Sequence, residues 1–548
     1  MASTRFTRRR LLQSALAAAP AATFAPRLLA QPTVHIAPGP FQPTWESLTA
    51  CTTPDWFRDA KFGIWNHWSA QCVPEQGDWY ARRMYLQGEK QYDHHLKTYG
   101  HPSKVGWMEM DNLWKAEHWE PAKLMDLYVA AGAKYFSALA NHHDNFDAYN
   151  SRFHNWNSIR IGPRQDIVGI YGKLARERGL RFAVTNHSSH AWHWLQVAYD
   201  YDPEGPLAGV RYDAYTLTKA DGKGKWWDGF DPQELYTGRN LVMPDGIKTI
   251  PQANLWHADN DRKWFEIDPP MNHAFAENWF LRCQDLVDTY KPDLLYFDDS
   301  ELPLGQYGLS IAAHYYNSSI RDKGKVDVVL TAKEIKPEHV GAFTLDIERG
   351  KAQGILPHPW QTDTCIGDWH YNIAVFDDHK YKTPKSVIHA LIDIVSKNGN
   401  LMLNIPVKGD GTIDSDERAF LEALATWVPK HGEAIYGTRP FSVFGEGPPD
   451  VADSHNFNEN RQRPYTVEDI RFTAKGDTLY AFAFVWPTSG KLLIKTLARA
   501  AAAYPKPIQR VDLIGAGPLT FTQDASGLTL NLPGKAPNEY AYGFIFRT

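Results

Sequence analysis

Seven apolar stretches, each closing on a polar group, constrain this chain more than any other feature. KFGIWNHW (61–68) closes on His67, KYFSALANHHD (134–144) on His142, His143 and Asp144, and RFAVTNHS (181–188) on His187. KPDLLYFDD (291–299) closes on Asp298 and Asp299, and VDVVLTAK (326–333) on Lys333. AFTLDIE (342–348) carries Asp346 and Glu348, and NLMLNI (400–405) contributes Asn404. Short, unbroken apolar runs read as strands buried on both faces. Helical stretches lie between several of them, among them residues 122–133 and 166–180, the latter started by Asp166 and stopped by Gly179. Strand, helix, strand, with reactive groups at the strand C-termini, predicts an α/β chain of the (β/α)₈-barrel type with its site on the top face.

A chain of 548 residues exceeds one ordinary domain. After Pro440 the pattern changes to alternating strands such as DTLYAFAFVW and GLTLNLP, cut by Gly, Pro and Asp turns, which predict an all-β sandwich. The expected division is therefore a barrel over 44–437 and a sandwich over 440–548. Residues 203–265, rich in Gly, Asp, Trp and Pro, read as a long loop or subdomain beside the barrel mouth. Residues 1–30 read as a twin-arginine export signal, with Arg8-Arg9-Arg10-Leu11-Leu12 followed by SALAAAPAATFA, a run too short to span a bilayer permanently. The expected mature protein is exported, periplasmic and not membrane-bound. A net charge of −5 leaves no basic footprint for nucleic acid. Cys51, Cys72, Cys283 and Cys365 have neither zinc spacing nor the density of a disulfide scaffold.

On the strand Leu294-Leu295-Tyr296-Phe297, alternation puts Leu294, Tyr296 and Asp298 on one face and Leu295, Phe297 and Asp299 on the other. If the first face looks into the barrel, Asp298 stands at its mouth above Tyr296. Either Asp could instead cap the following turn. Glycoside hydrolysis requires two carboxyl groups from separate elements, and Asp298 with Asp346 or Glu348 would meet that requirement. Asp346 and Glu348 fall on one strand face, so periodicity does not choose between them. Adjacent His142 and His143, with His67 and His187 at other strand ends, invite a metal reading. Against it, neighbours on a strand point to opposite faces, and neither H-x-H nor H-E-x-x-H spacing occurs there. The expectation is that no metal or organic cofactor is required. The 13% of aromatic residues suits the flat platforms of sugar sites.

WFRDAKFGIWNHW, GDWYARRMY, GAKYFSALANHHDNF, NWNSIRIGPRQDIVG, KPDLLYFDD, PWQTDTCIGDWHYN and NGNLMLNIPVKGDGTI running into GEAIYGTRPF follow one another over about residues 44–440. In this order they resemble the family 29 glycoside hydrolases, the retaining α-L-fucosidases. The resemblance implies a fucosylated glycan as substrate and Asp298 as nucleophile. It implies that His67, His142 and His143 bind fucose hydroxyls, that Trp79 lines the pocket, and that Tyr296 lies below the sugar. It places the acid/base on a variable segment before the PW motif, where spacing ahead of Trp360 favours Glu348. Lys333 stands where relatives often carry Arg, a point charge in place of a fork; Asn141 and Asn145 replace a Lys and a Gly around His-His-Asp. The rival readings are a retaining glycosidase for a related sugar such as an α-galactoside, a carbohydrate-binding protein without turnover, and a metal-dependent barrel hydrolase.

Overall fold

The computed structural model describes residues 34–261, 273–449, 456–499, 504 and 507–548, so the expected export signal lies outside the described residues. Eight parallel strands close into a barrel: β1 Phe62–Asn66, β2 Tyr135–Asn141, β3 Arg181–Asn186, β4 Leu294–Ser300, β5 Val329–Lys333, β6 Thr344–Asp346, β7 Trp360–Cys365 and β8 Gly399–Asn404, with β8 pairing back onto β1. Alternation divides their side chains as expected. Trp65, Tyr135, Ala183, Leu294, Tyr296, Val329 and Met402 fill the barrel interior, whereas Ile64, Phe136, Val184, Leu295, Phe297, Leu330 and Leu403 join the larger core outside. Gly63 faces inward beside Tyr135, where a Cβ would lie 2.3 Å from the ring, so the aromatic occupies space that a side chain at Gly63 would need. The helix Ile167–Glu177 begins where predicted, its N-cap Asp166 accepting the amide of Gly169, and the chain leaves it through Gly179 at φ +74°.

Two irregularities aim the strand ends. Between β2 and β3 the register jumps from Leu139↔Thr185 to Asn141↔Asn186, one extra residue on β2. Between β4 and β5 it jumps from Tyr296↔Thr331 to Ser300↔Lys333, a bulge that spans Asp298 and Asp299. Such bulges re-aim side chains, and strict alternation fails at both places.

From Arg439 the chain forms antiparallel sheets. One has six strands, in the order β14 (Gly517–Leu519), β13 (Arg510–Leu513), β17 (Tyr542–Arg547), β11 (Thr478–Ala483), β10 (Ile470–Lys475) and β9 (Arg439–Glu446). The other has three, β12 (Lys491–Ile494), β16 (Gly527–Asn531) and β15 (Phe521–Asp524), and the two share one apolar core. On β11, Leu479, Ala481 and Ala483 face that core while Tyr480 and Phe482 face the barrel's outer core. A buried ion pair, Arg471 Nε to Asp393 at 2.6 Å, joins β10 to the barrel helix Pro384–Ser396. Residues 34–548 make one compact unit. The four cysteines are all unbridged.

Candidate active site

The C-terminal ends of the barrel strands surround a cavity of about 510 Å³. Every residue predicted for the site lines it: His67, Trp79, His142, His143, Tyr296, Asp298, Lys333 and Glu348. Asp346, the rival to Glu348, does not. β6 ends at Asp346, whose side chain is fully buried and accepts a hydrogen bond from the Gln361 amide at 2.6 Å. Glu348 lies beyond the strand in a turn, so the sequence-based placement of both acids on one strand face is corrected. Burial and the neighbouring Asp363 push the Asp346 carboxyl well above its ordinary range.

The Lys333 ammonium touches both remaining acids, Asp298 Oδ1 and Glu348 Oε2. Asp298 also lies 3.1 Å from His187 Nδ1 and 3.4 Å from His143 Nε2, and the Tyr296 hydroxyl reaches its Oδ1 at 3.4 Å. Burial alone would raise Asp298, but Lys333 and the two histidines outweigh it and hold the carboxyl well below the usual carboxylate range. Glu348 goes the other way: burial, opposed by Lys333 but reinforced by Asp363 and Asp298, pushes it up to about 7. Two carboxyl groups on one ammonium thus have opposite proton affinities, the arrangement that separates a nucleophile from an acid. Lys333 itself, despite burial, is held charged by Asp298, Glu348 and Asp363.

Asp299 was expected on the opposite strand face. Instead the bulge brings it to the cavity, where its carboxylate accepts from the Ser189 hydroxyl at 2.7 Å and lies 3.2 Å from His190 Nε2. His142 and His143 were likewise expected to diverge. They lie past the end of β2, where alternation no longer applies, and their rings approach to 4.2 Å on the same side. His142 Nδ1 accepts from the Gln71 amide at 2.8 Å, which leaves its Nε2–H as a donor. His143 donates through Nδ1 to the His187 carbonyl at 2.8 Å. Burial lowers the pKa of His67, His142, His143 and His187 and so disfavours their charged forms. Among the described residues neither nitrogen of buried His67 has a hydrogen-bond partner. The imidazoles also form metal-like groupings: His67 with His142 and His187, and His143 with His187 and Asp298, each with ligand atoms within 4.8 Å.

Asn145 holds a left-handed backbone, φ +62°, a region that Asn tolerates better than most residues. Its side chain accepts from Arg282 at 2.6 Å and donates to the carbonyls of Glu234 and Leu235, tying the long β3–β4 connection to the barrel top.

Sequence reasoning missed several lining residues: Asp78, His190, Asp363 and Trp369, with Asn456 and Phe457 from beyond the barrel. Asp363 was accessible in principle, because Gln361 and Asp363 put two polar groups on one face of a strand inside the barrel. Asp78 accepts from the backbone amides of Trp369 and His370 at 3.2 and 2.7 Å, a long-range pairing that no local pattern encodes.

The family model for alpha-L-fucosidase matches residues 28–433, and that for the alpha-L-fucosidase C-terminal domain matches 462–547. The chain belongs to the alpha-L-fucosidase family. It is a glycoside hydrolase of the fucose-releasing class. Among curated relatives, tissue alpha-L-fucosidase of Mus musculus is 26% identical over 92% of this chain and 93% of that one. Plasma alpha-L-fucosidase of Homo sapiens is 27% identical over 90% of this chain and 88% of that protein. Among solved structures, Thermotoga maritima alpha-fucosidase in complex with a mechanism-based inhibitor aligns with a TM-score of 0.66 at 23% identity, over 92% of this chain and 99% of that one. Alpha-L-fucosidase isoenzyme 1 from Paenibacillus thiaminolyticus aligns with a TM-score of 0.59 at 18% identity, over 92% of this chain and 99% of that one. These structural neighbours share the barrel fold of the family.

Proposed function

We propose that the enzyme hydrolyses terminal α-linked L-fucose from fucosylated oligosaccharides or glycoconjugates with retention, through a covalent fucosyl-enzyme. Asp298 attacks the anomeric carbon while Glu348 gives its proton to the glycosidic oxygen, which leaves with the aglycone. Glu348, now a carboxylate, takes a proton from water; the hydroxide so generated attacks the anomeric carbon and breaks its bond to Asp298. Lys333 keeps Asp298 anionic and accompanies the charge that Glu348 acquires after proton transfer. His67, His142 and His143 offer polar nitrogens to the sugar hydroxyls, Trp79 an apolar wall, and Tyr296 the floor. No step is routed through a metal, and dialysis against EDTA is expected to leave turnover intact.

The observation that carries this reading is the single ammonium between Asp298 and Glu348. One nitrogen in contact with both carboxyl groups suits the separation of about 5–5.5 Å used for retention, not the roughly 6.5–9.5 Å that inversion needs to admit a water. Proton NMR of the first turnovers tests it: α-fucose released first supports retention, and β-fucose released first contradicts it.

For residues 1–30 the proposal is cleavage of a twin-arginine signal and delivery to the periplasm. Replacing Arg8 and Arg9 together by Lys should hold the precursor in the cytoplasm, and N-terminal sequencing of the periplasmic protein should begin near residue 26–31. A periplasmic chain beginning at Met1 would refute this.

A further inference from the structure

Residues 456–461 fall between the two family-model matches, which end at 433 and resume at 462. They are nonetheless built onto the turn that carries Glu348. The Asn456 side chain accepts from the Glu348 amide at 3.0 Å, and the Phe457 amide donates to the Glu348 carbonyl at 2.7 Å. The next residues repeat the pattern: the Glu459 amide donates to the Arg349 carbonyl at 3.0 Å, and Arg349 Nε to the Glu459 carboxylate at 2.8 Å. Asn458 accepts from the Lys351 amide at 2.9 Å and donates to its carbonyl at 3.0 Å. This segment is therefore as fixed as the Glu348 turn itself.

Its aromatic does not contribute to the fold in the usual way. Phe457 is 58% exposed, and its backbone sits at φ +59°, a region costly for a bulky residue. A ring that stays in solvent on a strained backbone gains little from burial. The other large aromatic left so open among the described residues, Phe153 at 36%, does not border the cavity. Phe457 does, directly beside Glu348.

We propose that Phe457 is the platform for the leaving-group sugar, the glycan residue to which fucose is attached. This rests on the fucosidase reading above. The glycosidic oxygen must lie within hydrogen-bond reach of the Glu348 carboxyl in order to be protonated, so the leaving sugar must lie on the outer side of that residue. An exposed ring on a residue whose backbone amide is bonded to the Glu348 carbonyl offers a flat apolar face to the C–H side of a pyranose there. Specificity for the glycan beyond fucose is thereby set by a segment outside the barrel.

The test compares two substrates, a fucosyl-galactose disaccharide and α-L-fucosyl fluoride, whose leaving group is a single atom. Phe457→Ala should raise KM for the disaccharide about five- to tenfold, as expected for a lost aromatic platform, and lose far less on the fluoride. Phe457→Trp should restore the disaccharide KM. Equal losses on both substrates, or a Trp variant no better than Ala, would overturn the assignment. A wild-type enzyme active on neither fucoside would overturn the underlying reading, and the subsite with it.

Discussion

Glu348 opens onto the cavity, while Asp346, two residues earlier, is sealed beneath it with its carboxyl on the Gln361 amide. The acid available to a bound glycoside is therefore Glu348. Glu348→Gln should lose roughly 10²–10⁴-fold on a fucosyl disaccharide, the usual contribution of a general acid, and much less on an aryl fucoside with a good leaving group. Asp346→Asn keeps the shape of the side chain and should not show that dependence on the leaving group. Kinetics across leaving groups of graded pKa check the pair.

The same environments set the pH profile. The first step needs Glu348 protonated and Asp298 ionised. With Glu348 at about 7, kcat/KM should fall as the pH rises through that value. With Asp298 well below the usual range, the acid limb should lie below ordinary carboxylate titration. Lys333 lowers both groups, so Lys333→Met should move both limbs to higher pH. A limb that moves down would contradict this account of Lys333.

Asp298 and Asp299 both reach the cavity, but only Asp298 lies against Lys333, His187 and His143. Asp298→Asn should fold and lose about 10⁴-fold or more in kcat. Asp299→Asn, which keeps the shape and weakens only the contacts to Ser189 and His190, should retain far more activity. Equal losses would sink the distinction.

Seven of the eight barrel strands were legible because parallel strands buried on both faces leave unbroken apolar runs; β7, Trp360–Cys365, was not, because WQTDTC is largely polar. The facing of the last residue or two was not. Asp299 and the His142–His143 pair turn inward through bulges and strand ends, where the period of two no longer holds. Glu348 was placed on a strand that stops at Asp346. Asp78, Asn456 and Phe457 reach the site through hydrogen bonds between distant parts of the chain, which no window of sequence contains.

The junction between barrel and sheets rests on a buried charge. Asp393 is fully buried between Lys397 at 2.8 Å and Arg471 at 2.6 Å. Burial alone would raise its pKa, but the two cations outweigh it and depress it. A depressed folded value means that its stabilisation is present above the unfolded value of about 4 and is lost as the pH falls below it. Asp393→Ala should cost about 3–5 kcal/mol at neutral pH by leaving two buried cations unpaired. Urea unfolding of the two proteins measures it, and a loss below about 1 kcal/mol would contradict the pair's role.

The assignment of the two acids is tested most directly by the anomer formed with azide. Asp298→Gly leaves space on the β face, so azide should displace an activated α-fucoside there directly and yield β-fucosyl azide. Glu348→Ala still forms the fucosyl-enzyme from a good leaving group, so azide should attack it from the opposite face, accelerate turnover and yield α-fucosyl azide. Opposite anomers from the two variants, identified by proton NMR, are the predicted result. The same anomer from both, or the two anomers exchanged, would contradict Asp298 as nucleophile and Glu348 as acid/base.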